Sequence, residues 1–88
     1  MKFKNESNEP VLIMIEPRAE LFIIKPGMTI DLIDEKGNEH LNCPIYYGKD
    51  SIEFWETNET DIVVMLDGKQ MEDSWAEYNE LRQKREKF

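Results

Sequence analysis

Three apolar runs, Val11–Ile15, Leu21–Ile24 and Ile62–Leu66, set the tightest limit on how this chain folds. Each is four or five residues long, rich in β-branched side chains and flanked by turn residues. A helix with one buried face needs about ten residues carrying apolar positions every third or fourth. A strand needs about four to eight. The runs therefore read as strands, and the two five-residue runs as strands buried on both faces. None approaches the ~20 apolar residues that span a bilayer.

Turn chemistry divides the rest. Glu16-Pro17 ends the first run, because proline lacks the N–H a ladder needs and restricts the residue before it. Lys25-Pro26-Gly27-Met28 places proline and glycine at the centre of a type II turn. Beyond it, Met28, Ile30 and Leu32 alternate with Thr29 and Asp31, until Ile33 breaks the pattern. Leu21–Ile24 and Met28–Ile33 are accordingly expected to pair as an antiparallel hairpin. Lys2–Asn5 is a short first strand. The polar turn 34–38 leads toward a strand near Glu39–Leu41, and Cys43-Pro44 interrupts it. Ile45-Tyr46-Tyr47 and Ser51–Glu56 are further strands, separated by Gly48-Lys49-Asp50. Asp67-Gly68 is a preferred hairpin turn, with Lys69–Met71 returning as an edge strand.

The period changes near the C-terminus. Trp75, Tyr78, Leu81 and Phe88 fall on one helical stripe, from about Met71/Glu72 to Lys87. Ser74-Trp75-Ala76-Glu77 matches a capping box, in which the serine hydroxyl accepts from the Glu77 N–H. The fold expected is mainly β: a compact antiparallel sandwich or open barrel of six to eight short strands with one C-terminal amphipathic helix. No segment supplies the helical crossover of a parallel pair. A single domain covers 1–88, with a β-rich body 1–71 and a helix 72–88.

The 88 residues carry a net charge of −8 and one cysteine, Cys43. An intrachain disulfide is excluded, and the chain fits a reducing compartment. Met1–Glu6 lacks the apolar core of a secretory signal, so a cytoplasmic, bacterial or phage-type protein is expected. Asn5-Glu6-Ser7 and Asn58-Glu59-Thr60 match the glycosylation sequon and read as chance matches. The acidic field argues against direct nucleic-acid binding. The charge is uneven. Arg82, Lys84, Arg85 and Lys87 against Glu86 give residues 82–88 a net +3, which leaves −11 in residues 1–81.

Chemical motifs are sparse. His40 and Cys43 offer two metal ligands where tetrahedral zinc wants four. Ser7, Ser51 and Ser74 lack a glycine-flanked elbow, and His40 is the only histidine to act as base. Asp31, Asp34, Glu35, Glu39, Glu53, Glu56 and Asp61 read as a solvated acidic face, without the defined cleft that paired-carboxylate catalysis requires. The four glycines are isolated in turns and form no phosphate loop. No enzyme activity, cofactor or metal is expected, and a small-molecule ligand is disfavoured.

The aromatics carry more information. Tyr46 and Tyr47 point to opposite faces of a strand, as do Phe54 and Trp55. With Phe54 in the core, Trp55 stands outside, and one tyrosine joins it. The favoured expectation is that the C-terminal helix covers this face. The candidate interaction surface is Tyr46, Tyr47, Trp55, Trp75, Tyr78, Leu81, Arg82 and Arg85.

Ile15-Glu16-Pro17, Ala19-Glu20, Ile24, Pro26-Gly27 and Ile30, followed by Asp67-Gly68, resemble a group of small bacterial β-sandwich proteins of uncharacterised activity. Arg18 stands where that group often carries an aromatic. The resemblance implies a fold and no activity. The functional expectation is a non-enzymatic protein-binding or assembly module that docks on a protein partner or on a second copy as a homodimer. Immunity-like proteins, inhibitors and phage accessory proteins share its size and charge. The alternative is a sandwich that binds a small ligand or carbohydrate through Trp55 with Tyr46 or Tyr47.

Overall fold

The computed structural model describes residues 1–57 and 60–86, with Arg85 and Glu86 described by their backbone. The elements are β1 (Lys2–Lys4), β2 (Val11–Glu16), β3 (Glu20–Ile24), β4 (Thr29–Asp34), β5 (Ile45–Tyr47), β6 (Ser51–Trp55), β7 (Ile62–Leu66), β8 (Lys69–Gln70) and α1 (Trp75–Glu86). The strands form two four-stranded sheets, ordered β1-β4-β7-β8 and β3-β2-β6-β5. A sandwich with one C-terminal helix is the fold expected, and the sheets stay separate where a barrel would close.

The core fills the space between the sheets. Ile13, Ile15, Phe22, Ile24, Ile52 and Phe54 come from one inner face. Ile30, Leu32, Ile62 and Val64 come from the other. Alternation along each strand puts these residues inside, because successive side chains leave opposite faces. Burying such a side chain stabilises the fold by roughly 1.5–3 kcal/mol.

The chain's route departs from the expected one at the Pro26-Gly27 turn. The turn itself forms: Gly27 has φ 85°, and the Met28 N–H donates to the Lys25 carbonyl at 3.0 Å. Its two strands nevertheless lie in different sheets. β3 pairs with β2, and β4 pairs with β1 and β7. Asn5 explains the divergence: its N–H donates to Met28 O at 3.0 Å, and its carbonyl accepts from Gly27 N at 2.8 Å. The end of the β1 segment thus takes Met28 O, the acceptor a hairpin would have given to Lys25 N, and also ties the turn through Gly27 N.

β2 and β6 run parallel, with Leu12 opposite Ser51 and Glu16 opposite Trp55. The expected restriction to antiparallel pairs fails here for a topological reason. The crossover from β2 to β6 passes through β4 in the opposite sheet, so no helix is needed. The strand expected near Glu39–Leu41 is absent, and residues 39–44 run without regular structure. β7 and β8 form the expected two-residue hairpin, with Leu66 opposite Lys69 and positive φ at Asp67 (52°) and Gly68 (78°).

Burial on both faces is also differently placed. β2 and β7 each keep one half-exposed face, while Leu21–Ile24 of β3 is buried throughout. Phe22 and Ile24 enter the core. Leu21 and Ile23, on the outer face, are 3% and 4% exposed. α1 packs on that edge strand.

The helix starts at Trp75, three or four residues later than expected, so the β-rich body extends to Ser74. Residues 71–74 are held extended instead. Met71 N donates to Val64 O at 2.8 Å and Ser74 N to Leu21 O at 2.6 Å. Ser74 Oγ accepts from Ile23 N at 3.1 Å, which replaces the expected capping-box bond to Glu77. Glu77 pairs with Lys25 at 3.2 Å. Trp75 Nε1 donates to Ala19 O at 2.7 Å. The segment therefore fastens the open edge of β3 and launches the helix from it.

Candidate functional site

The outer face of the β3-β2-β6-β5 sheet follows from the strand registers. Leu21 lies opposite Met14, Met14 opposite Glu53, and Glu53 opposite Tyr46. Glu16 lies opposite Trp55. One half of this face, over β3, is covered where α1 begins. The other half, over β6 and β5, carries Glu53, Trp55 and Tyr46.

Tyr46 and Trp55 pack edge-to-face, with ring centroids 6.5 Å apart and planes at 83°. Such pairs add about 0.5–1.5 kcal/mol beyond simple burial. Glu53 Oε1 accepts from Trp55 Nε1 at 3.0 Å, which fixes the indole's direction. Tyr46, Glu53 and Trp55 bound a shallow depression of about 340 Å³. Tyr46 is 58% exposed. The expected covering of this face by the helix does not occur, because Ser74 fastens α1 to β3, at the opposite edge of the sheet.

Tyr47 does not join the pair. Its register partner is Ile52, whose side chain enters the core, so Tyr47 leaves the other face of β5. It is 78% exposed and lines a groove of about 560 Å³ at one end of the sandwich. Phe3, Val11, Lys49 and Ile52 line the same groove.

The helical candidates form a separate place. Trp75 and Tyr78 are half-buried and pack edge-to-face, with centroids 5.7 Å apart at 87°. Beyond Tyr78 the helix becomes exposed. Residues 79–84 are exposed, Leu81 at 46%, with Arg82 and Lys84 exposed beside it. The Arg85 side chain and Phe88 lie outside the described part of the structure. The eight candidates thus divide into an aromatic pair on β5–β6, a tyrosine at the end groove, and a helix docked at its start.

The remaining motifs have local explanations. His40 is exposed, and Cys43 packs partly against the core. Burial pushes the Cys43 thiol above its ordinary pKa and the Glu56 charge adds to this, the reverse of what a reactive thiolate needs. Among the described residues, no group of three or more histidine, cysteine or acidic side chains is placed to hold a metal. No described helix is long and apolar enough to cross a membrane.

Two features were not legible in the sequence. Asn5, the first residue of a sequon, is 2% exposed. Its Nδ2 donates to Glu9 O and Ile24 O at 2.8 Å each, and its Oδ1 accepts from Ser7 N and Ser7 Oγ. The carboxamide is a structural tie and is closed to modification in the folded chain. The second is an ionic cluster at the Glu16-Pro17 end of the sheet. Arg18 Nε lies 3.0 Å from Glu20 and 3.4 Å from Glu56, and Arg18 also donates to Ile62 O. Glu56 Oε2 accepts from Ile62 N at 2.7 Å. Arg18 therefore bridges the two sheets, with about two-fifths of its side chain exposed, so solvent screens much of the attraction.

Comparison with known proteins gives no match to a family, a curated protein or a solved structure.

Proposed function

We propose that this protein is a non-enzymatic binding module that engages another protein through the outer face of β5 and β6. The observation that carries the reading is the Tyr46–Trp55 pair, oriented by Glu53 and left uncovered by the helix. Aromatic anchors in a partly desolvated setting are the usual centres of binding energy at protein interfaces. The acidic body favours a partner surface rich in arginine or lysine and speeds its approach. A cytoplasmic setting agrees with the single, partly buried cysteine.

The test uses the intact chain and its Trp55→Ala variant as parallel baits in cell extract. A protein held by the first and lost by the second is then purified and titrated. The expected result is an affinity at least about tenfold weaker for Trp55→Ala, the loss typical of an interface anchor. Equal binding to both chains would remove the assignment to this face.

A second reading, carbohydrate binding, draws on the same depression, since it sets aromatic rings beside a carboxylate acceptor. A shift of Trp55 emission on titration with one member of a sugar panel, abolished by Tyr46→Ala, would favour it over the protein partner.

A further inference from the structure

Among the described residues, β5 is the sheet edge left without a closing device, and we infer that it takes an extended segment of a partner protein as an added strand, with an arginine opposite Tyr46 between two aliphatic residues. The inference rests on the protein-binding reading and names the partner's chemistry.

The first observation is how the sheet edges are treated. The two sheets end in β1 and β8, and in β3 and β5. An open edge invites pairing, and proteins blunt it with lysine, with shortness or with a covering segment. β1 carries Lys2 and Lys4, both exposed. β8 has two residues, one of them Lys69. β3 is closed by Ser74, whose N–H donates to Leu21 O and whose hydroxyl accepts from Ile23 N. β5 reads Ile45-Tyr46-Tyr47 and carries no charge. Pro44 before it does not blunt the edge, because its carbonyl faces inward and accepts from Trp55 N at 3.0 Å.

The second observation is the direction of the backbone. Along an antiparallel strand, residues bonded to the neighbour alternate with residues whose N–H and C=O point away from it. Pro44 O accepts from Trp55 N, and Gly48 N donates to Ser51 O at 2.7 Å, so Pro44, Tyr46 and Gly48 are the residues that face β6. The N–H and C=O of Ile45 and Tyr47 therefore face outward, and among the described residues none pairs with them. An antiparallel segment meets them with two of its own residues, each exchanging both its N–H and its C=O.

The third observation is what flanks the edge. The segment's middle residue lies opposite Tyr46 on the outer face, with Cα atoms about 4.5 Å apart. Tyr46 is 58% exposed, and Glu53 is its neighbour across the ladder. An arginine at that position stacks on the Tyr46 ring and extends toward the Glu53 carboxylate, two strand spacings or about 10 Å away. The residues on either side of the arginine point to the inner face. One continues the row of Ile45 at the rim of the core. The other lies beside Tyr47 at the end groove, which Phe3, Val11 and Ile52 line. Both places suit aliphatic side chains, and Lys49 in the groove is offset by Glu9 and Asp50. The net charge of −8 favours a basic segment over a second copy of this chain, since edge-to-edge copies would bring two acidic bodies together.

The test titrates a peptide with blocked ends, threonine-valine-arginine-valine-threonine, into the isotope-labelled full chain. Saturable binding with a Kd of about 0.1 mM is expected. At saturation, hydrogen exchange at the Ile45 and Tyr47 N–H groups should slow by about tenfold or more, while the Tyr46 N–H, already bonded within the sheet, keeps its rate. Methylating the backbone nitrogens of both valines should abolish binding. Methylating the arginine nitrogen, which points away from β5, should not. Exchanging the arginine for glutamate should weaken binding at least about tenfold. Tyr47→Pro removes an outward N–H and spares the ladder to β6, so it should abolish binding with unchanged far-ultraviolet circular dichroism. If that variant unfolds, the methylated peptides on the native chain decide. Lack of saturation at about 1 mM, equal binding of the valine-methylated peptide, or protection that misses Ile45 and Tyr47 would each overturn the inference. A free chain that sediments as a dimer with those two N–H groups already protected would assign the edge to a second copy and overturn it too. A foreign partner lost on Trp55→Ala but held by a folded Tyr47→Pro would overturn strand addition alone and leave the binding face standing.

Discussion

Asn5→Asp exchanges one NH₂ group for an oxygen at nearly constant volume, so its effect isolates the tie that holds one end of the sandwich. In the native chain the Asn5 amide nitrogen donates to Glu9 O and Ile24 O, both at 2.8 Å, and the second bond is fully buried. An aspartate places a carboxylate oxygen against both carbonyls. Glu9 O keeps the Ser7 Oγ donor, so the main loss is the buried bond to Ile24 O together with the carboxylate charge set against it. A lost buried partner costs roughly 1–3 kcal/mol, more when a charge is involved, so the variant should lose about 3 kcal/mol at neutral pH. A domain of this length is stable by about 4–13 kcal/mol, so the loss is a large fraction of the whole. With a urea dependence of about 1 kcal/mol per molar, the unfolding midpoint should fall by ~3 M. The deficit should also depend on pH. The introduced carboxyl is buried and faces carbonyl oxygens, so its folded pKa lies above the unfolded value near 3.9. A group with a raised folded pKa contributes stability below the unfolded pKa and loses it as pH rises through the folded one. Protonated, it also donates one O–H to a carbonyl. The difference between variant and wild type, measured by urea titration from about pH 4 to about pH 7, should therefore widen with rising pH. A deficit below about 1 kcal/mol at neutral pH, or one that is flat with pH, would refute the reasoning.

Ser74→Ala removes the acceptor for the buried Ile23 N–H and should cost about 1–2 kcal/mol. Its Trp75 emission should shift to the red as the start of α1 loosens from β3, and an unchanged spectrum would count against the clasp. Glu35 stands beside Asp61, whose hydrogen bond and negative charge raise the Glu35 pKa. A raised carboxylate pKa opposes stability above it, so Glu35→Gln should raise the urea midpoint at neutral pH, with the gain vanishing as the pH falls through the carboxylate range. Gly68 has φ 78° with open space around it, so Gly68→Ala should cost about 1–2 kcal/mol from backbone strain alone, read as a lower melting temperature at constant fold.

The sequence by itself determined what is local. Pro26-Gly27 and Asp67-Gly68 produce the turns their residues dictate, since φ preferences act within two or three residues. The short aliphatic runs became strands, Phe54 went inside and Trp55 outside, because alternation is built into the strand itself. Tertiary structure decided every choice between equally good local partners. The Pro-Gly turn is compatible with a hairpin, and only Asn5, more than twenty residues upstream, diverts it between sheets. The Ser74 hydroxyl fits a helix cap, and only the unpaired edge of β3 draws it to Ile23. That competition fixed where the helix starts and which half of the sheet it covers, and so left Tyr46 and Trp55 open. Backbone groups of distant segments compete for the same partners, and the winner depends on which arrangement leaves no buried donor or acceptor unpaired. That condition belongs to the whole fold, and no window of sequence contains it.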